Sequence, residues 1–96
     1  MTIIINTCYG GYSIPDEFLT SIGIDLEDYD AIDAIERTDE RFIKWLRDRG
    51  GVFEGDFSEL RVVEIPDEAT DWEMDEYDGM ESITCVVGGK LCHIYH

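Results

Sequence analysis

Residues 71–95 read DWEMDEYDGMESITCVVGGKLCHIY, and this stretch decides the fold. It contains two glycine turn signals, Asp78-Gly79 and Gly88-Gly89, and strand-like residues flank each of them. Such dipeptides supply the positive φ angles that two-residue hairpin turns require. The stretch therefore predicts a meander of three antiparallel strands joined by two tight hairpins.

The two turns together predict the register of the meander. A two-residue loop at Asp78-Gly79 places Tyr77 opposite Met80, and the pairing continues outward from there. The other pairs are Glu76 with Glu81, Met74 with Ile83, Trp72 with Cys85, Val87 with Lys90, Cys85 with Cys92, and Ile83 with Ile94. Because side chains alternate between faces, one face is apolar: Trp72, Met74, Ile83, Cys85, Val87, Cys92 and Ile94. Asp71, Glu73 and Asp75 are predicted on the opposite face.

The composition indicates one small, strongly acidic domain, residues 1–96. A hydrophobic content of 44% with 11% aromatic residues is typical of a folded globule. The chain has 23 acidic and 7 basic residues, so its formal net charge is −16. This charge disfavours direct binding to nucleic acid or to anionic membranes, because both depend on Lys and Arg. It favours a basic partner surface.

The N-terminus and the cysteines indicate a cytosolic protein. The first residues, MTIIINTCYGG, lack a basic region, and their apolar run is too short for a signal peptide or a membrane span. Three cysteines, an odd number, fit reduced thiols better than a disulfide framework. Cys85 and Cys92 are predicted to face each other, and two neighbouring core thiols are favoured over a disulfide.

The first forty residues predict a strand followed by helices. The run of isoleucines at residues 3–5 indicates an interior strand buried on both faces. After a glycine loop, a short helix is predicted over residues 15–22 with Ser13 as its N-cap. Residues 25–36 alternate acidic and apolar residues, and this pattern leaves a helix and a loose connection equally open.

The clearest helix is predicted over residues 39–49, capped by Thr38 and stopped by Gly50-Gly51. Five basic residues lie on or beside it: Arg37, Arg41, Lys44, Arg47 and Arg49. They form either a solvated face or an internal basic strip that neutralises part of the acidic segments. Residues 52–59 are predicted to be a loop and residues 60–65 a strand. The order predicts an α+β fold with a mixed or antiparallel sheet, a C-terminal three-stranded meander, and two or three helices packed on one face.

Three segments together resemble a family of small acidic phage and prophage proteins. They are IIINTCYGGYS at residues 3–13, IERTDERFI at 35–43, and LRVVEIPDEATDWEMDEYDGMESI at 60–83. The chain departs from the family pattern at Tyr12, where Phe is more frequent, at Glu40, where Pro is usual, and in its C-terminal end. The resemblance implies a phage origin, and it implies no particular activity.

The Gly10-Gly11 loop and Cys8 suggest two chemistries, and each has a simpler explanation. A strand, a glycine loop and a helix start form the general geometry of a phosphate cradle. However, this loop lacks GxGxxG and P-loop patterns, and Asp16 and Glu17 follow it. A structural turn is favoured. Cys8 is a candidate nucleophile near a helix start, but the histidines lie at the far end of the chain, so a core cysteine is favoured.

Two further groups of residues suggest metal or acid/base chemistry. Cys85, Cys92, His93 and His96 are of metal-ligand types, yet adjacent residues on a strand point to opposite faces, so zinc is disfavoured. The acidic run from Asp71 lacks the glycine and glutamate positions of an EF-hand. Glu76 and Glu81 form a like-charge cross-strand pair, which is destabilising. A basic residue of this chain or of a partner would explain the pair, and a solvated surface is the alternative.

The main hypothesis is a non-enzymatic binding protein without a cofactor. In this hypothesis the protein acts as a DNA mimic that inhibits a host nucleic-acid-binding defence protein, such as a CRISPR effector or a restriction enzyme, in the host cytoplasm. The predicted partner-binding residues are Asp71, Glu73, Asp75, Glu76, Asp78 and Glu81, with Asp25, Glu27, Asp28 and Asp30 as a second patch. The predicted partner is a basic host protein surface, with no direct nucleic acid and no membrane, and the protein is a monomer or a homodimer. The alternatives are a small-ligand or nucleotide binder or enzyme that uses the loop at residues 8–13, and an accessory protein whose acidity serves only solubility.

Overall fold

The computed structural model describes residues 1–55 and 58–94, and its helices and strands form an α+β fold. The elements are β1 (Thr2–Asn6), α1 (Asp16–Ser21), α2 (Tyr29–Asp33), α3 (Glu40–Arg47), β2 (Val52–Glu54), β3 (Glu59–Glu64), β4 (Ala69–Tyr77), β5 (Met80–Val87) and β6 (Lys90–Ile94). The strands form two antiparallel three-stranded sheets. The central sheet has the order β1-β3-β2, and the meander has the order β4-β5-β6. The predicted fold class and the C-terminal meander are confirmed.

The predicted register of the meander is also confirmed at every pair. Tyr77 faces Met80, Glu76 faces Glu81, Met74 faces Ile83 and Trp72 faces Cys85. Across the second turn, Val87 faces Lys90, Cys85 faces Cys92 and Ile83 faces Ile94. Asp78 and Gly79 both have positive φ, 51° and 85°, which identifies the type I′ turn that matches the twist of a hairpin. The local chemistry of the two turns is therefore sufficient to set this sheet.

The isoleucines of β1 separate two hydrophobic cores. Ile4 packs into the core formed with the three helices, whereas Ile3 and Ile5 pack with Ile83 and Cys85 of the meander. The molecule thus has three layers, with the helices on one face of the central sheet and the meander on the other. Burial of β1 on both faces is confirmed, but its predicted interior position in a sheet is wrong, because β1 is the first strand in the order and pairs only with β3.

Aromatic packing holds the helical layer against the central sheet. The Phe18 and Phe42 rings stack with their centroids 4.6 Å apart, and Trp45 meets Phe18 at 5.8 Å. Trp45 also packs on Phe53 of β2 at 5.1 Å. The apolar stripe predicted for α3 is buried as expected, at Phe42, Ile43, Trp45 and Leu46.

The predicted N-caps were wrong in both helices. α1 begins after Pro15, without a side-chain cap bond, and Ser13 lies outside the helix on the surface. For α3, the cap is Asp39 and not Thr38, since the Asp39 carboxylate accepts the N–H of Arg41 at 2.8 Å and of Phe42 at 3.4 Å. The Oδ1 atom of Asp39 accepts both bonds and so satisfies two orphan donors of the first turn.

Two connecting segments also contain elements. The acidic segment at residues 25–36 contains the single-turn helix α2, whose N-cap Asp28 accepts the Ala31 N–H at 3.1 Å. The predicted loop at residues 52–59 is wrong in its first part, because β2 pairs with β3 there. Its residues 56 and 57 lie outside the described part of the chain.

Candidate functional site

The carboxylates of Asp71, Glu73 and Asp75, called the acidic row below, lie on the face of the meander that points away from the central sheet. Alternation along β4 places them there, and all three residues are exposed. Asp71 accepts the Trp72 N–H at 2.9 Å, and Asp75 accepts the Thr84 hydroxyl at 3.4 Å. Within residues 1–55 and 58–94, no Lys or Arg forms an ion pair with the row.

The outer face beside the acidic row is partly apolar. The row's cross-strand neighbours on β5 are Val86, Thr84 and Ser82, and the next strand adds Leu91 and His93. Leu91 is 67% exposed, and Tyr77, at the end of β4, is 73% exposed. The meander therefore presents a negative edge strand beside exposed apolar and hydroxyl groups.

Glu76 and Asp78 extend the negative charge to the tip of the first hairpin. Both are exposed. Glu76 accepts the Gly79 N–H at 3.1 Å, which fixes its carboxylate over the turn. Five of the six carboxylates predicted on this hairpin are thus at the surface and available to a partner: Asp71, Glu73, Asp75, Glu76 and Asp78.

Glu81, the sixth, corrects the prediction, because it is buried and only 7% exposed. Its carboxylate forms a bidentate ion pair with Arg37, at 2.6 and 2.7 Å, and also accepts the Asn6 N–H at 2.7 Å. Arg37 of this same chain therefore relieves the like-charge pair of Glu81 with Glu76. A docking partner cannot reach Glu81. The alternation of β5 already placed it on the apolar face with Ile83.

A polar junction between the layers is formed by five residues: Asn6, Tyr12, Arg37, Gly79 and Glu81. The Asn6 side chain donates to the carbonyls of Cys8 and Gly79, at 2.7 Å each, and accepts the Glu59 N–H at 2.9 Å. The Arg37 guanidinium lies 3.7 Å over the Tyr12 ring. All three segments that carry the phage resemblance meet here. Sequence reasoning missed Asn6 and the partner of Arg37, because the contacts join residues far apart in the chain.

Tyr12 contributes a buried phenol to the junction. Its hydroxyl is buried and has no hydrogen-bond partner among the described residues. Burial raises the pKa of Tyr12 to about 12, and nearby Arg37 opposes this rise while Glu81 adds to it. The neutral phenol is therefore the form that the fold favours.

The loop at residues 8–13 packs against the meander and does not form an anion cradle. A Cβ at Gly79 would lie 2.5 Å from the Gly11 nitrogen, so the turn of the hairpin fills the space over this loop. The helix that follows has six residues, and its first turn carries Asp16 and Glu17. Cys8 is half-buried, and His93, the histidine that the structure describes, bonds Thr84 on the outer face of the meander. The geometry favours the structural explanation for the loop and for Cys8.

The cysteines of the meander face each other as thiols. Burial raises the pKa of the Cys85 thiol, and neighbouring Cys92 adds to the rise. In the described residues, no three His, Cys, Asp or Glu side chains converge on a position that fits a metal ion. His96, the remaining candidate ligand, lies outside the described residues.

The second acidic patch, Asp25, Glu27, Asp28 and Asp30, is exposed but lies in a different layer. Its α2 packs through Ile32 on the helical core, on the opposite face of the central sheet from the meander. Two of the carboxylates have local roles, since Asp25 accepts the Glu27 N–H at 2.9 Å and Asp28 caps α2. The patch and the acidic row therefore do not form one surface.

Among the described residues, five of the seven basic side chains pair with carboxylates outside the acidic row. The ion pairs are Arg37 with Glu81, Arg41 with Asp39, Lys44 with Asp48, Arg47 with Glu64, and Arg61 with Glu59, at 2.6 to 2.9 Å. Arg49 lies 3.7 Å over the Trp45 ring. The basic residues of α3 thus form no ion pair with the predicted partner-binding carboxylates. Of those carboxylates, Glu81 is paired, with Arg37, which precedes the helix.

No protein-family model, no curated protein and no solved structure matches this chain. Of the helices in the described residues, none combines the length and the apolar composition needed to cross a membrane. The function is therefore argued from the geometry of the surface.

Proposed function

We propose that this chain is a non-enzymatic binding protein that presents the outer face of its meander to the basic surface of a nucleic-acid-binding protein. In this proposal it is a phage-encoded inhibitor of a host defence protein, a CRISPR effector or a restriction enzyme, and acts as a DNA mimic in the host cytoplasm. One observation carries the proposal. The acidic row holds three exposed carboxylates on one strand, and no Lys or Arg of the described chain pairs with them.

The spacing of the acidic row supports a partner adapted to phosphates. Alternate residues of a strand are about 6.7 Å apart, which is about the axial rise of two nucleotides in one DNA strand. The row thus offers about half of the linear charge density of such a strand, and Glu76 and Asp78 add charge at the tip. A groove lined with Lys and Arg would meet a carboxylate at every second phosphate position.

The side chains around the row support a protein partner over solubility alone. On the same face as the row, Tyr77 is 73% and Leu91 67% exposed. Aromatic residues are enriched in the energetically important centres of protein interfaces. A surface that served only solubility would have no need of large apolar groups beside its carboxylates.

The test is capture of partners from a bacterial host lysate with the wild-type protein and two charge-reversal variants. Glu73→Lys/Asp75→Lys changes the row, and Glu36→Lys/Glu68→Lys makes the same charge change at exposed residues that belong neither to the row nor to the second acidic patch. We expect wild type and the Glu36/Glu68 variant to capture a basic nucleic-acid-binding protein that competing DNA releases. The row variant should lose this capture. Equal loss in both variants, or capture that DNA does not affect, would contradict the proposal.

A further inference from the structure

We propose that the basic partner adds an extended segment as a fourth strand along the free edge of β4. This inference rests on the proposed function, since it assumes a basic partner. In the order β4-β5-β6, β4 has a strand neighbour on one side only, and with nine residues it is longer than any other described strand. An exposed edge of this kind is a template for pairing with another chain.

The turn identifies which main-chain groups point to the free edge. Tyr77 and Met80 close the type I′ turn, so Tyr77 belongs to a hydrogen-bonded pair with β5. Because hydrogen-bonded and non-bonded pairs alternate in an antiparallel ladder, Trp72, Met74 and Glu76 direct their N–H and C=O groups outward. In the part of the chain that the structure describes, these groups take no main-chain bond from outside the sheet.

Trp72 confirms this assignment independently. Its N–H is bonded by the Asp71 carboxylate at 2.9 Å, which leaves it unavailable to β5. No side chain of residues 1–55 or 58–94 accepts the N–H of Met74 or Glu76 in this way. The open part of the edge is therefore the half of β4 nearest the hairpin tip.

The faces of β4 specify the sequence pattern of the added strand. Residues directly opposite across a ladder lie on the same face, so the residues facing Asp71, Glu73 and Asp75 would stand beside the acidic row. Opposite charges are favourable at such positions, which calls for Lys or Arg at alternate positions. The intervening residues would lie on the face of Trp72 and Met74 and should be apolar. The occupant is a basic-apolar alternating strand.

A second copy of this chain does not fit the edge. Pairing β4 with another β4 brings carboxylates of two acidic rows together, and like charges across a ladder are destabilising. Charged edges also protect sheets from pairing with their own copies. The acidic row therefore discriminates between partners, since it opposes an acidic strand and accepts a basic one.

The experiment uses synthetic peptides as probes with the full chain labelled for NMR. The test peptide is KVKVKVK, and its composition-matched control is KKKKVVV. A third peptide keeps the alternating sequence but carries N-methyl groups on its valines. In the unmethylated peptide, the N–H groups of these valines would point toward the edge of β4. Dissociation constants and hydrogen exchange of the Met74 and Glu76 amides are measured at low salt. Two main-chain hydrogen bonds of ordinary net strength correspond to about thirtyfold tighter binding.

We expect KVKVKVK to bind about thirtyfold more tightly than the control, from those two bonds, and to protect the Met74 and Glu76 amides. The peptide methylated on its valines should lose the advantage, and a fourth peptide with the methyl groups on its lysines, whose N–H groups point away from β4 in an antiparallel pairing, should keep it. A Met74→Pro variant, which removes one edge donor and keeps every charge, should also lose it, since an edge strand tolerates Pro. If Met74→Pro does not fold, the N-methylated peptides decide alone.

Equal binding of both unmethylated peptides without protection of the edge amides would overturn strand addition and leave docking by charge intact. Absence of binding by either peptide would also overturn it. A dimer of the free protein that protects the same amides would overturn it as well. The proposed function fails separately, through the lysate experiment with the row variant, because that experiment does not depend on how the partner docks.

Discussion

The buried Arg37–Glu81 ion pair gives the sharpest test of the structure. Its two side chains differ in access to water, since the Arg37 side chain is 27% exposed and that of Glu81 8%. Arg37→Ala would leave the Glu81 carboxylate buried with only the Asn6 N–H, and breaking one partner of a buried pair costs about 3–5 kcal/mol. Because water can enter the space that Arg37 vacates, we expect the lower end, about 3 kcal/mol.

Glu81→Gln should cost less, about 1–2 kcal/mol, because Gln still accepts the Asn6 N–H and the partly exposed Arg37 remains hydrated. In the Arg37→Ala background, Glu81→Gln should restore stability by removing the unpaired buried charge. The coupling between the two substitutions is therefore expected at about 1–3 kcal/mol. The control is Arg41→Ala, since Arg41 is 58% exposed in its ion pair with Asp39. An exposed pair contributes about 0–1 kcal/mol.

The measurement is urea unfolding of the four proteins and the control at pH 7, with the free energy of unfolding extrapolated to water. An Arg37→Ala variant no less stable than Arg41→Ala would refute the reasoning. So would a double variant that is less stable than Arg37→Ala alone. Either result would mean that Glu81 is hydrated in solution and is not the buried anchor described above.

Two further substitutions test the rest of the polar junction. Tyr12→Phe removes a buried hydroxyl that has no hydrogen-bond partner in the described part of the chain, so we expect unchanged stability or a gain of up to about 1 kcal/mol, measured by urea unfolding. Because the pKa of Tyr12 is raised to about 12, the native protein holds a proton that the unfolded chain releases near pH 10. The contribution of the Tyr12 proton to the free energy of unfolding is therefore present below about pH 10 and falls as the pH rises toward 12. Tyr12→Phe should make the free energy of unfolding less dependent on pH in this range. Gly79→Ala adds a Cβ 2.5 Å from the Gly11 nitrogen at φ 85°, so it should cost more than Gly88→Ala, which has positive φ but no atom within 4 Å. The strain common to both is about 1–2 kcal/mol, and equal melting temperatures for the two variants would argue against the contact of the turn with the loop.

The meander was predictable from sequence because its determinants are local. Asp78-Gly79 and Gly88-Gly89 specify the turns, and the alternation of Met74, Ile83 and Cys85 specifies the buried face. The N-cap of α3 was predicted wrongly, because local residue type does not decide between two adjacent capping residues. Asp39 and Thr38 are adjacent, and both are good capping residues, so the choice depends on the entry angle of the chain.

The site was less predictable, because its electrostatics are set by distant contacts. Glu81 and Arg37 are 44 positions apart in the chain. The pattern of β5 alone indicated that Glu81 shares a face with Ile83, but it did not show that Arg37 would reach it. The separation of the two acidic segments has the same origin, since it depends on the layer in which each segment packs. The two segments are similarly acidic in sequence, and this similarity does not indicate in which layer each one packs.

The edge strands β1 and β4 differ in how their outward main-chain groups are satisfied, and this contrast bears on the proposed function. At β1, Arg37 and Glu81 take the place of a further strand. The Ile4 N–H bonds the Arg37 carbonyl at 3.0 Å, and the Ile4 carbonyl accepts the Arg37 guanidinium at 3.2 Å. The Asn6 N–H bonds Glu81 at 2.7 Å. At β4, Asp71 covers the Trp72 N–H and leaves the rest of the edge to solvent. The edge of β4 beside the acidic row is therefore the place to which we assign the proposed partner strand, whereas the edge of β1 is closed by contacts within the chain.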